Sequence, residues 1–444
     1  MNAKLPLQND TDRYHLIAED GKWIQISKQT SPWSEAGLTS SGQTDASQFR
    51  RIDACNRIVL PGLVDGHVHL DKAHTLAIAG NESGTLMEAI QNYREQAPGV
   101  SKDNVKERMK RTVLDAAAFG TTAMRTHLDF FTADDGTVAN RTIEAALEVK
   151  KEVQDIMDLQ LYLMSDPVTL DDSFKGLLQE GLAAGIDGIG GAPHLSLDFQ
   201  ASVRALFEFS EMTGKPLDLH SDETDDPSVN TVSMIAMEML NRGMEHQVTV
   251  GHLCSLSAMD QAKAVQTMHL IKDAGLHVMT LPGANMYLQG RSDRGLIRRG
   301  VTRVKELHEL GINVAVASDN IQDPFHPFGQ GDLLEIARLS TYAAHMNSET
   351  DRLNTLAMIT EHPAKALGYH SGTYGFSEGA PANCVVTNNE TVSGLLADLS
   401  PDRLVIRSGK LLSKTKRSVH WFDASDSHVH SDDEHTKIKG VTIT

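Results

Sequence analysis

LVDGHVH, residues 63–69, reads as a short apolar strand that ends in two histidines one residue apart. Side chains two apart on a strand share a face, so His67 and His69 point the same way. Seven further runs of this kind follow: TTAMRTH (121–127), LQLYLM (159–164), DGIGGAP (187–193), PLDLH (216–220), VTVGH (248–252), HVMTL (277–281) and NVAVASD (313–319). Between most of them lie amphipathic stretches such as VKERMKRTVLDAAAFG and ASVRALFEFSEMTG, each closed by a glycine where a helix would stop. Eight such alternations predict an α/β fold, a parallel (β/α)8 TIM barrel over residues 63–370.

The texture differs on either side of the barrel. HLIAEDGKWIQI reads as a hairpin with glycine at its turn, and RRIDACNRIVLPG as a strand ending at Pro61-Gly62. SPWSEAGLTSSGQTDASQ, between them, is a polar loop. YGFSEGAPANCVVTN and DRLVIRSGKLL again read as strands with turns. Residues 1–62 and 371–425 are therefore expected to build one small composite β-sandwich from both chain ends. Residues 426–444, which carry His428, His430 and His435 among Asp and Ser, read as a flexible tail.

Bulk composition narrows the function classes. The 444 residues are 40% hydrophobic, enough for a large core. Asp and Glu outnumber Lys and Arg 59 to 41, a formal charge of −18 that argues against nucleic-acid partners. Cys55, Cys254 and Cys384 are widely spaced and form no CxxC pair, which points to a reducing, cytoplasmic setting without disulfides. No apolar run is long enough for a membrane span, and the first residues are too polar for a signal peptide.

The chemistry gathers where the strands end. Strand one ends in His67 and His69, strand five in His220, strand six in His252 and strand eight in Asp319. Active sites of this fold are built at that C-terminal mouth. Three or four imidazoles plus a carboxylate suit zinc or iron better than magnesium or calcium. Any one of these histidines alone would be an ordinary partly buried residue; their joint placement is the signal. Glu223, just past His220, is either a proton shuttle or one more solvated acid beside Asp222, Asp225 and Asp226. Phe325 and Phe328 could wall a pocket or belong to the core.

PGLVDGHVHLDKAHT, RTHLD, HSDETDD, NMYLQGR, RRGVTRVKEL and SDNIQDPFHPFGQGD together resemble the cytosine deaminase-like branch of the amidohydrolase superfamily. The resemblance covers about residues 60–370. It implies one divalent metal ion per chain, zinc or iron, bound by His67, His69, His220 and Asp319. It further implies that His252 orients the attacking water, that Glu223 carries protons to the substrate ring, and that Asp319 also takes part in catalysis. Gln289, with Arg291, would belong to the loop near the mouth. Strand four ends in GGAPH without lysine, so the carboxylated-lysine bridge of two-metal relatives is absent. The implied reaction is hydrolytic deamination of a free amino-substituted heterocycle, with metal-activated water attacking the amine-bearing carbon.

Two positions depart from the cytosine-specific pattern, and both bear on substrate choice. Asp166 stands where those enzymes carry a glutamine that reads the pyrimidine edge, and Asn320 replaces a second aspartate. A carboxylate only accepts hydrogen bonds, so Asp166 favours a ring edge rich in N–H groups, or a cationic one. Asp166, Gln289, Asn320 and Phe325 are the expected substrate contacts. The ASDN…PFGxGD pattern is closer to N-isopropylammelide amidohydrolases, which leaves removal of an alkylamine from a triazine-type ring as the alternative. A cyclic-amide hydrolase is a further reading, disfavoured by the missing lysine, and a barrel kept only as a scaffold is disfavoured by the complete ligand set. The expected partner is a small heterocycle, with no nucleic acid and no membrane; homo-oligomeric assembly stays open.

Overall fold

The computed structural model describes residues 1–30, 51–132, 134–244 and 248–419. The chain opens with three antiparallel strands: β1 (Ala3–Leu5), β2 (Asn9–Glu19) and β3 (Lys22–Lys28). The turn between β2 and β3 is Asp20-Gly21, with φ of 47° and 79°. Both residues sit in the left-handed region that a tight two-residue hairpin demands. Strand β4 (Val59–Pro61) then leads into the barrel.

Eight parallel strands follow: β5 (Leu63–Val68), β6 (Thr121–Asp129), β7 (Asp158–Met164), β8 (Gly188–Gly191), β9 (Leu217–Ser221), β10 (Val248–His252), β11 (His277–Thr280) and β12 (Val314–Val316). Each pairs with its sequence neighbours in a single sheet. Every residue of β5 is buried, as expected of a strand covered on both faces. Helices between the strands pack their apolar faces on the sheet; Lys102–Phe119 begins at a Ser101 cap and ends at Gly120, whose φ is 110°.

Strand eight is shorter than its sequence suggests. It stops at Val316, and Asp319 lies three residues beyond on a left-handed backbone (φ 61°). The departure has a visible cause. Asp65 Oδ1 accepts the Ser318 amide at 3.1 Å and turns the chain toward β5. The Asp319 amide then donates to the His67 carbonyl at 2.9 Å, and the His69 amide donates to the Asp319 carbonyl at 3.1 Å. This isolated parallel bridge between Val68 and Asp319 closes the barrel.

The chain then returns to the β4 edge. Strands β13 (Cys384–Val386), β14 (Leu404–Arg407) and β15 (Lys410–Lys414) complete a second antiparallel sheet in the order β15-β14-β13-β4. Leu5, Trp23, Val59 and Cys384 share one apolar core, so strands from both chain ends form one small two-sheet unit against the barrel. The predicted polar loop at 31–48 and the predicted tail at 426–444 lie outside the described residues. Among the described residues no helix is long and apolar enough to cross a membrane.

Candidate metal centre

The mouth of the barrel brings five of the expected groups together. His67 Nε2 lies 3.1 Å and His69 Nε2 3.0 Å from His220 Nε2. Asp319 Oδ1 is 3.3 Å from His69 Nε2 and 3.6 Å from His67 Nε2. One ligand atom each from His67, His220, His252 and Asp319 fall within 4.8 Å of one another. His252 thus joins three of the four residues expected to bind the ion, while His69 is not in that group. All five side chains are buried.

The buried cluster leaves acceptor atoms without partners. His69 Nδ1 donates to the His127 carbonyl at 3.2 Å, which leaves its Nε2 as a bare lone pair facing the centre. Neither Asp319 oxygen has a hydrogen-bond partner. Burial and the neighbouring imidazoles hold His67, His69 and His220 well below the usual histidine range, and burial does the same to His252. Burial, with Glu223 and Asp323 nearby, pushes Asp319 well above the usual carboxylate range. Clustered nitrogen lone pairs beside an unpartnered carboxylate could hold a metal ion. Strand β8 contributes Ala192-Pro193-His194 at its end, and no lysine.

Around the cluster opens a cavity of about 670 Å³. His69, His220, Glu223, His252 and Asp319 line its floor. Glu223 is 7% exposed, and its Oε1 stands 3.5 Å from His252 Nδ1. Burial pushes its carboxyl up to about 8, although Lys72 pulls the other way. The solvated-loop reading of Glu223 therefore gives way. His252 Nδ1 also lies 2.9 Å from the Asn285 side-chain nitrogen, and its Nε2 has no partner.

The four expected substrate contacts separate. Asp166, Asn320 and Phe325 line the cavity. Asp166 Oδ1 accepts from Ser202 Oγ at 3.1 Å. Asn320 Nδ2 donates to Asp323 Oδ2 at 2.8 Å. Gln289 is not brought to the cavity wall; its Nε2 makes a long 3.5 Å contact to the Glu223 main-chain carbonyl. Phe328 is 74% exposed. Lys72 is buried in the wall, with Nζ 2.7 Å from Asp129.

Two features below and beside the cluster escape the strand-end logic. Arg125 and Asp218 form a buried pair at 2.7 Å inside the barrel, with Arg125 stacked 4.3 Å over Tyr162. Asp218 Oδ1 faces His127 at 3.6 Å, and His127 stacks 4.1 Å from His67. The other is His194, whose ring joins the cavity wall. Its place after GGAP at the end of a strand was the available signal.

Comparison with known proteins agrees with this fold. A model of the amidohydrolase family matches residues 84–412. The chain is 32% identical to pterin deaminase of Rhizobium rhizogenes over 375 residues, 84% of either protein. It is 26% identical to N-isopropylammelide isopropyl amidohydrolase of Pseudomonas sp. strain ADP over 377 residues, 82% of this chain and 88% of that one. The crystal structure of Klebsiella pneumoniae 5-methylcytosine deaminase with 5-fluorocytosine superposes with a TM-score of 0.84 at 30% identity, covering 95% of this chain and 98% of that one.

Proposed function

This chain belongs to the amidohydrolase family, whose members hydrolyse carbon–nitrogen bonds, and from that premise we propose that it deaminates a free amino-substituted nitrogen heterocycle. The observation that carries the reading is the buried Glu223 carboxyl, in one cavity with the His67, His69, His220 and Asp319 cluster. Relatives named for pterin and 5-methylcytosine deamination support an aminopyrimidine, alone or fused to a second ring. The cavity volume of about 670 Å³ leaves space for the fused form.

His67, His69, His220 and Asp319 would hold one divalent ion, zinc or iron. Such an ion supplies Lewis acidity and brings the pKa of a water molecule from 15.7 toward ~7. Asp319 offers an unpartnered oxygen to take the proton of the attacking water. His252, held at Nδ1 by Asn285, presents Nε2 to orient that water toward the amine-bearing carbon. Glu223, kept protonated by burial, passes its proton to the adjacent ring nitrogen and recovers one afterwards. Ammonia then leaves with the proton Asp319 received. Asp166, Asn320 and Phe325 hold the ring, and Gln289 supports the Glu223 main chain.

A second reading, release of an alkylamine from a triazine-type ring, draws on Asn320 in the cavity wall and on the Pseudomonas relative. Cyclic-amide hydrolysis draws on less, since no lysine stands at the end of β8. The three unpaired cysteines favour a cytoplasmic setting.

Metal analysis and a substrate panel test the reading together. The panel comprises cytosine, 5-methylcytosine, isocytosine, pterin, creatinine and N-alkyl triazines, each followed for ammonia and amine. One ion per chain with ammonia release from an aminopyrimidine is expected. Release from no member by metal-replete protein would sink the reading; amine release from triazines alone would move it to the second.

A further inference from the structure

His194 stands in the short turn Pro193–Leu195 that follows β8. Its Nδ1 lies 3.2 Å from the main-chain carbonyl of His220. A carbonyl oxygen can only accept, so Nδ1 carries the proton and the ring is a fixed tautomer. Nε2 is then an acceptor and nothing else. It is buried, has no hydrogen-bond partner, and belongs to a ring that is 8% exposed and lines the cavity.

The neighbouring wall repeats this character. Asp166 follows the end of β7 and presents a carboxylate, with Oδ1 held by Ser202. Ser165 Oγ, buried in the same wall, has no partner either. An unpartnered buried acceptor is costly unless a ligand fills it. His194, Ser165 and Asp166 line the same cavity as Glu223.

We propose that His194 is a substrate-reading residue whose Nε2 accepts an N–H of the heterocycle, and that with Asp166 it selects rings carrying N–H donors on the edge facing β7 and β8. The proposal rests on the deaminase reading and adds a specificity determinant to it. The ring favoured is a lactam or amino-lactam. A ring with only carbonyl oxygens and unprotonated nitrogens on that edge is rejected, because acceptor would face acceptor.

Two variants separate reading from propping. Asparagine reproduces the Nδ1 position, so His194→Asn keeps a donor for the His220 carbonyl and loses the Nε2 acceptor. Glutamine reproduces the Nε2 position, so His194→Gln keeps an acceptor in the wall. Metal content, kcat and KM are measured on isocytosine, 5-methylcytosine and pterin. His194→Asn is expected to keep its ion, to raise KM about tenfold to a hundredfold on the best substrate, and to change kcat by about threefold or less. His194→Gln is expected to recover most of the loss. An unchanged KM in His194→Asn overturns the proposal, as does loss of metal and kcat in parallel with KM, the pattern of a residue that only props His220. If the wild-type protein with its ion turns over none of the three or the rest of the panel, the deaminase reading falls and takes the proposal with it. Wild-type turnover with an indifferent His194→Asn removes His194 alone.

Discussion

The amide of Asp319 donates to the carbonyl of His67 at 2.9 Å, so one of the two hydrogen bonds that close the barrel also fixes the spacing of the first and last residues of the candidate metal centre. Backbone and side chain can be separated there by experiment. Asp319→Asn keeps the main-chain seam and nearly the same shape but removes the carboxylate. Ion content measured by plasma mass spectrometry should drop well below one per chain, and kcat/KM should fall by at least about a hundredfold. Circular dichroism should stay that of the parent. Full metal retention with full activity would remove Asp319 from the centre.

Glu223 makes a different prediction, because it touches the reaction without holding the ion. Glu223→Gln should retain the metal and lower kcat by about a hundredfold to ten-thousandfold. A variant that instead loses its ion would make Glu223 part of the metal centre.

Arg125 and Asp218 meet at 2.7 Å, both buried, beneath His127. Arg125→Leu strands the Asp218 carboxylate in a place where water cannot reach it. Urea denaturation should show a loss of about 3–5 kcal/mol. The double variant Arg125→Leu with Asp218→Leu should regain part of that loss, and its failure to do so would mean that the pair is not the unit of stability.

His277, at the opposite end of the barrel from the cavity, gives a pH signature. Asn313 Nδ2 reaches its Nδ1 at 3.1 Å, and burial pushes its pKa down to about 4. The unfolded chain, with its histidine near ~6.5, binds more protons between those two values. Stability is therefore complete above about 6.5 and falls as the pH drops toward 4, by roughly 3 kcal/mol from this residue. Melting temperatures of the wild type and His277→Asn, taken from pH 7 to pH 4, should converge as the pH falls. Parallel curves would assign the acid sensitivity elsewhere.

Much of the architecture could be read from local pattern. Gly120 and Gly214 close helices at left-handed φ values, as the amphipathic runs before them imply. His67, His69, His220 and His252 declare themselves by ending apolar runs, because strand ends are where this fold collects function. Other parts were out of reach for a physical reason. NVAVASD is apolar to the last turn, and only a carboxylate more than two hundred positions earlier, Asp65, shows why the strand stops at Val316. Arg125 and Asp218 look like two ordinary charges in two separate strands, and their pairing exists only once the barrel is closed. Gln289 sits in a motif that points to the mouth, yet its neighbour turns out to be the Glu223 carbonyl.

Thr387 donates through Oγ1 to the carbonyl of Ile58 at 3.0 Å across 329 residues of sequence. That contact and the β4–β13 register set a timetable for synthesis. A nascent chain presents β4 as a naked edge for as long as the whole barrel takes to emerge, with its partner still inside the ribosome. The two-sheet unit is the last part to assemble although its first strands are the earliest made, and truncation before Cys384 would leave the barrel with an uncapped, sticky margin.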